Sequence, residues 1–157
     1  MSPRDLFLVR HGKAGEAGPG GDPARSLTVE GRDGIAAVGR ALAAFGVVPD
    51  AIWHSPYVRA TETAVLLAEV LGVSTLTPEG VLTPTSSGEC ASQAVLQAPA
   101  RTLVAVSHMP LLPALVHELV GARIDFGTGS VAHIGLFGAH GAVLLGLWTA
   151  EKLARVR

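Results

Sequence analysis

The sequence predicts an α/β protein, a three-layer α/β/α sandwich with a mainly parallel central sheet and an antiparallel edge. Three observations carry this. Leu6-Phe7-Leu8-Val9 and Leu103-Val104-Ala105-Val106 are short, unbroken apolar runs, the pattern of strands buried on both faces in parallel sheets. Around such runs the apolar spacing changes to a helical period, so strands alternate with helices. The chain then closes with two strand-like segments, Val131 to Phe137 and Val143 to Trp148, joined by the tight turn Gly138-Ala139-His140-Gly141.

The elements follow in order. After the first strand, Gly15 to Asp22 is a glycine-rich loop bounded by Pro19 and Pro23. Thr28 caps a helix with Glu30 in its first turn and Ile35, Val38, Leu42 and Phe45 on one apolar face; Gly46 ends it. Gly31, Gly34 and Gly39 each cost this helix about 1 kcal/mol relative to Ala, so burial must hold it. Ala51 to Ser55 is a second strand. A helix from Val58 to Leu71 follows, with Ala64, Leu67, Ala68 and Leu71 turned inward and Gly72 as its stop. Val73 to Leu76 reads as a third strand, then a loop rich in Pro, Thr and Ser, then a weak helix from Glu89 to Leu96. Thr102 to Ser107 is the clearest buried strand. Pro110 opens an apolar helix to Val120, and Pro113 is tolerated because it falls in the first turn. Arg123 to Gly129 is a loop.

At 157 residues without repeat or linker, residues 1–157 are expected to form one domain. Hydrophobic residues are 48% and charged ones 16%, which favours a packed core over disorder. The net charge is −1 with no clustered Lys and Arg, so neither a nucleic acid nor a membrane surface is the expected partner. The one cysteine, Cys90, reads as a small apolar filler on a helix face, with no basic neighbour to stabilise a thiolate. No apolar run is long enough to span a bilayer and the N-terminus lacks a signal-peptide pattern, so the expected setting is the cytoplasm.

Polar residues collect at strand ends. Arg10-His11-Gly12 follows the first strand, Arg59 follows the second, and His108 follows the strand at 102–107. In open α/β sheets ligands bind outside the carboxyl ends of the strands. Two guanidiniums and two imidazoles on one rim match a dianionic phosphoryl group, because guanidinium forks fit phosphate oxygens. A neutral imidazole accepts a phosphoryl group, and flanking cations keep it neutral. A second, protonated imidazole would stabilise the transferring oxygens. Such a site requires no metal and no cofactor, and the chain has no carboxylate-rich cluster of the kind magnesium prefers.

The segments Leu8-Val9-Arg10-His11-Gly12, Ser55-Pro56-Tyr57-Val58-Arg59-Ala60-Thr61-Glu62-Thr63-Ala64 and Val106-Ser107-His108 resemble the motifs of the histidine phosphatase superfamily, which has the phosphoglycerate mutase-like fold. Lys13-Ala14 and Arg25-Ser26-Leu27-Thr28 are similar to its SixA-like phosphohistidine phosphatase branch. The resemblance implies His11 as phospho-accepting nucleophile, with Arg10, Arg59 and His108 completing the phosphate pocket. It implies Arg25 as a further phosphate contact. Gly12 is counted among the substrate-binding residues, and Lys13 beside it reads as a cation that steers an anionic substrate into the pocket.

Two departures stand out. Glu62 stands where the family often has Gln. Between Glu69 and His108 the only carboxylates are Glu79 and Glu89, and neither lies in a clear proton-donor motif; Glu79 is the candidate donor. Without a general acid, expelling an alkoxide is hard, whereas imidazole leaves protonated and neutral. The missing donor thus favours an N–P over an O–P bond, and the SixA-like resemblance implies a phosphatase acting on phosphohistidine in a protein or on a related small phospho-compound. The alternatives are a small O-phosphorylated metabolite, as for a phosphomonoesterase, or a non-catalytic module that binds phosphate or phosphoprotein.

His54 is a candidate rim residue. His117 and His140 are expected to face solvent, and His133 to be a satisfied sheet residue. Gly127-Thr128-Gly129-Ser130 reads either as an oxyanion cradle or as a connecting loop.

Overall fold

The computed structural model describes residues 2–157. Its six strands are β1 (Arg4–Arg10), β2 (Ala51–His54), β3 (Leu76–Pro78), β4 (Thr102–Ser107), β5 (Val131–Leu136) and β6 (Ala142–Trp148). They form one sheet in the order β3-β2-β4-β1-β5-β6. The first four in that order are mutually parallel, while β5 runs antiparallel to both β1 and β6. The helices are α1 (Val29–Ala44), α2 (Val58–Leu71), α3 (Gly88–Gln97), α4 (Leu111–Val120) and α5 (Ala150–Leu153).

Strand alternation in β1 explains the three layers. Leu6 and Leu8 face one side, where they join Val95 of α3 and Leu111, Leu112 and Leu115 of α4. Phe7 and Val9 face the other, with Ile35, Val38 and Leu42 of α1 and Leu67 of α2. Because both faces of the central strands are covered, these strands needed the unbroken apolar runs seen in the sequence. Thr28 caps α1 by accepting the Gly31 N–H at 2.9 Å, and Gly72 and Gly121 end α2 and α4 in the left-handed conformation. Among the described residues, no helix is long and apolar enough to cross a membrane.

Four local expectations change. The third strand begins later, at Leu76 rather than Val73, because Val73 still donates to the Ala68 carbonyl at the end of α2 and pairing with β2 starts at Ile52–Leu76. Phe45 does not extend the buried face of α1: it is 50% exposed and tilts against Trp148, with ring centroids 5.9 Å apart. Cys90 lies in the first turn of α3 but is exposed, so it fills no core position. The short α5 was not anticipated; it buries Leu153 against the α1–α2 side.

Candidate active site

Register places the site. Arg10 of β1 pairs with Ser107 of β4, so His11 and His108 each stand one residue past the sheet, side by side. Their rings are 5.0 Å apart between centroids and inclined at 56°. On the other flank β2 ends level with them, where the Ser55 N–H donates to the Val106 carbonyl. After the short turn at Pro56 and Tyr57, α2 starts and points Arg59 back over the strand ends. All four residues expected at the site therefore meet at one place. His11 is 6% exposed, Arg59 4% and His108 1%.

His11 is fixed in one tautomer. Its Nδ1 lies 2.7 Å from the Gly12 carbonyl, and a carbonyl only accepts, so Nδ1 carries the proton. The Nε2 lone pair then receives the Arg59 Nε–H at 3.2 Å. Burial pushes the His11 pKa down to about 4, with Arg59, Arg10 and Arg25 adding repulsion. The flanking cations expected to keep it neutral do contribute, but desolvation is the larger cause.

His108 differs from its expected state. Burial, then His11 and Arg59, push its pKa down to about 3, so it is neutral rather than protonated at neutral pH. Neither of its ring nitrogens has a hydrogen-bond partner, and the same holds for Arg10 Nε. Buried polar atoms are rarely left so, since each costs roughly 1–3 kcal/mol. Arg10 is anchored through Nη1, which donates to the Phe126 carbonyl at 2.7 Å. Tyr57 walls the pocket, its ring edge-on to His108 at 5.1 Å and beneath the Arg59 guanidinium at 5.2 Å.

The remaining candidates take varied places. Gly12 is a close-packing position: a Cβ there would lie 2.7 Å from Ile35 Cγ1. Its N–H donates to Thr63 Oγ1 at 3.1 Å and its carbonyl holds His11, so its backbone positions the imidazole. Lys13 is exposed, and its ammonium sits 2.7 Å from Glu30 Oε2. Arg25 donates through Nη1 to Asp22 Oδ1 at 2.9 Å and through Nε to the Gly15 carbonyl at 2.7 Å. Glu79 is half-buried at the carboxyl edge, its N–H donating to the His54 carbonyl at 2.8 Å.

His54 is buried, with Nδ1 against the Ser55 carbonyl at 2.8 Å. His133 pairs with Asp5 at 2.7 Å and stacks on Phe7, a satisfied sheet residue as expected, and His117 and His140 are exposed. In the Gly127–Ser130 loop, Gly129 donates to the Arg10 and His11 carbonyls and Ser130 to the Gly127 carbonyl. Those amides tie the loop to the end of β1 instead of facing an oxyanion.

Sequence reasoning assigns Thr63 and Asp22 no role and marks Glu62 only as a departure from the family pattern. Thr63 joins His11 to Arg59, accepting from Gly12 and donating to the Arg59 carbonyl at 2.7 Å. Glu62 accepts the Leu27 N–H at 2.8 Å and pairs with Arg32 at 3.2 Å, fastening the segment before α1 to α2. Asp22 reaches Arg59 itself: Nη2 donates to Oδ2 at 3.1 Å and Nη1 to the main-chain carbonyl at 2.8 Å. Only its place three residues before Arg25 could have signalled Asp22.

Sheet order, helix layers and crossovers define a phosphoglycerate mutase-like α/β fold. The family model described as histidine phosphatase superfamily (branch 1) matches residues 6–83. The chain is similar to the protein histidine phosphatase SixA in its complex with tungstate, at 26% identity and TM-score 0.88, over 95% of this chain and 99% of that one. It is also similar to a SixA from Nakamurella multipartitia, at 25% identity and TM-score 0.80, over 94% and 96%. A phosphoserine phosphatase from Entamoeba histolytica, solved with phosphoserine, shares the fold at 16% identity and TM-score 0.74, over 94% and 98%. A comparison with curated protein sequences gives no match. The chain belongs to the histidine phosphatase superfamily.

Proposed function

We propose that this protein is a metal-independent phosphatase that carries the phosphoryl group on His11 and acts on phosphohistidine in a protein. The observation that carries the reading is the state of His11: its Nδ1–H is held by Gly12, so a neutral ring presents the Nε2 lone pair to Arg59. Beside it stand Arg10 Nε and the His108 nitrogens, buried and without partners; the Arg10 Nε–H and the one N–H of the neutral His108 ring are donors that phosphoryl oxygens would satisfy. The similar protein histidine phosphatase SixA was solved in complex with tungstate, a tetrahedral oxyanion like phosphate.

In the proposed reaction His11 Nε2 attacks phosphorus in line. The new N–P bond forms as the bond to the substrate imidazole breaks, and that imidazole departs as a neutral ring after protonation. Water then cleaves phospho-His11 and releases phosphate. Arg10, Arg59 and one N–H of His108 stabilise the charge on the equatorial oxygens, the role of donors aimed at developing charge. An arriving dianion would favour uptake of a solvent proton by His108, which would strengthen that contact. A groove of about 550 Å³ lined by Met109, Pro113, Ala114, His117, Arg123 and Asp125 begins at the residue after His108, and supports a substrate presented on a polypeptide.

The test uses a phosphohistidine peptide, p-nitrophenyl phosphate and base-quenched mass spectrometry. The expected result is phospho-His11 in the wild type, none in His11→Ala, and faster turnover of the peptide. Preference for the aryl ester would make the protein an O-phosphomonoesterase. Phosphate binding without turnover of either compound would make it a binding module.

A further inference from the structure

Asp22 brings a carboxylate into a cluster of cations. Nε and Nη2 lie on one edge of the Arg59 guanidinium, the fork that suits two oxygens of one phosphoryl group. Here Nε–H points to His11 Nε2 at 3.2 Å and Nη2–H to Asp22 Oδ2 at 3.1 Å. The carboxylate and the nucleophile's lone pair are thus neighbours on the same edge. Arg25 Nη1 holds the other carboxylate oxygen at 2.9 Å, and Arg25 is itself tethered to the Gly15 carbonyl. The Asp22 side chain is 53% exposed, so it enters the cluster from the solvent side.

A phosphoryl group that takes this edge of Arg59 at His11 comes beside this anion. If the group carries only oxygen, its negative charge and the carboxylate compete for Arg59. If phosphorus is bonded to a nitrogen group that carries positive charge, as in phosphoramidate or a protonated phosphoimidazole ring, that charge and the carboxylate attract. The Arg25 and Arg59 hydrogen bonds also hold the Asp22 carboxyl below the usual range, so it remains an anion at neutral pH and is unsuited to donate a proton.

Taking the His11–Arg59 cluster as a phosphoryl pocket, we propose that Asp22 is its specificity-determining residue: held at the rim by Arg25, it favours phosphoryl groups bonded to a cationic nitrogen and disfavours those bonded to oxygen alone. This deepens the reading above by assigning the preference for nitrogen over oxygen to one side chain.

The test is calorimetric binding of inorganic phosphate and of phosphoramidate, whose nitrogen is protonated at neutral pH. It uses the full chain carrying His11→Ala to prevent turnover, with Asp22 intact, as Asp22→Asn and as Asp22→Glu. Asp22→Asn is expected to bind phosphate about tenfold tighter, the scale of one partly screened charge contact, with phosphoramidate affinity unchanged or weaker. Asp22→Glu, which keeps the charge, is expected to keep the preference. Equal shifts for both ligands in Asp22→Asn, including equal weakening through a displaced Arg59, would overturn the proposal and leave Asp22 as a positioning residue. A parent protein that binds neither ligand would instead overturn the phosphoryl-pocket reading itself, and this proposal with it.

Discussion

Strand β1 begins and ends with arginine, and the two have opposite surroundings. Arg4 gives Nε to the Ala100 carbonyl, Nη1 to Leu96 and Nη2 to Val95, at 2.8–3.1 Å. The last two are carbonyls in the final turn of α3, where helical partners run out; Val95 also accepts the Ala98 N–H at 3.4 Å. Arg10 gives Nη1 to Phe126 and leaves Nε buried without a partner. The histidines of neighbouring strands repeat the contrast: His133 is paired with Asp5 and stacked on Phe7, whereas both nitrogens of His108 are free. One end of the sheet has its hydrogen bonds completed by the fold. The other holds capacity in reserve, and that reserve marks the site better than residue type does.

The largest test of this contrast is His11→Ala, expected to lower turnover by on the order of 10⁴-fold or more while the thermal transition stays cooperative, because the nucleophile acts as one unit with its pocket. Full activity in that variant would remove His11 from the mechanism. The two arginines provide the paired comparison. Arg59→Ala is expected to lower kcat by roughly 10²–10³-fold, as for loss of one donor to a developing charge. Arg4→Ala is expected to leave kcat unchanged and to cost about 2 kcal/mol of stability in a denaturant titration, by removing charged hydrogen bonds to helix-end carbonyls. If Arg4→Ala loses activity without losing stability, the contrast between the ends of β1 fails.

Protonation offers a finer test. His11 and His108 have folded pKa values of about 4 and about 3, below the ordinary 6.5 of an unfolded histidine. Between those limits the unfolded chain binds more protons than the folded one, so stability is complete above about pH 6.5 and is lost as pH falls toward 4 and then 3. Denaturant midpoints at pH 7 and pH 5 measure this, and His11→Ala is expected to flatten the dependence. The acid limb of kcat/KM is expected near pH 4, since the lone pair of His11 survives to that point.

The sequence disclosed the fold and the four central residues for one physical reason. Buried parallel strands require unbroken apolar runs, so 6–9 and 103–106 were visible, and the polar residues just beyond them had to lie at the carboxyl edge. What it withheld depends on contacts between distant segments. That Thr63 links the Gly12 amide to the Arg59 carbonyl follows from where α2 packs on the β1 end, which no periodicity encodes. Asp22 lies in a glycine-rich stretch with no pattern, and its role appears only when the turn at 22–24 folds back over Arg59. Phe126 looked like a loop residue; its carbonyl orients Arg10. The neutrality of His108 likewise depends on burial, which the tripeptide Val106-Ser107-His108 does not disclose.

The smallest expected effect belongs to Lys13, the cation that the sequence suggests for steering an anionic substrate. Its ammonium is paired with Glu30 at 2.7 Å, with side-chain exposures of 57% and 76%. Exposed pairs of this kind contribute about 0–1 kcal/mol and are screened by salt. Glu30 offsets the charge that would draw in an anion, and the pair sits at the first turn of α1. Lys13→Ala is therefore expected to lower kcat/KM by no more than about threefold, with kcat unchanged, as measured at low ionic strength. A tenfold loss that vanishes in high salt would show that Lys13 leaves Glu30 for the phosphoryl group, and would place an exposed, already paired cation among the working residues of this edge.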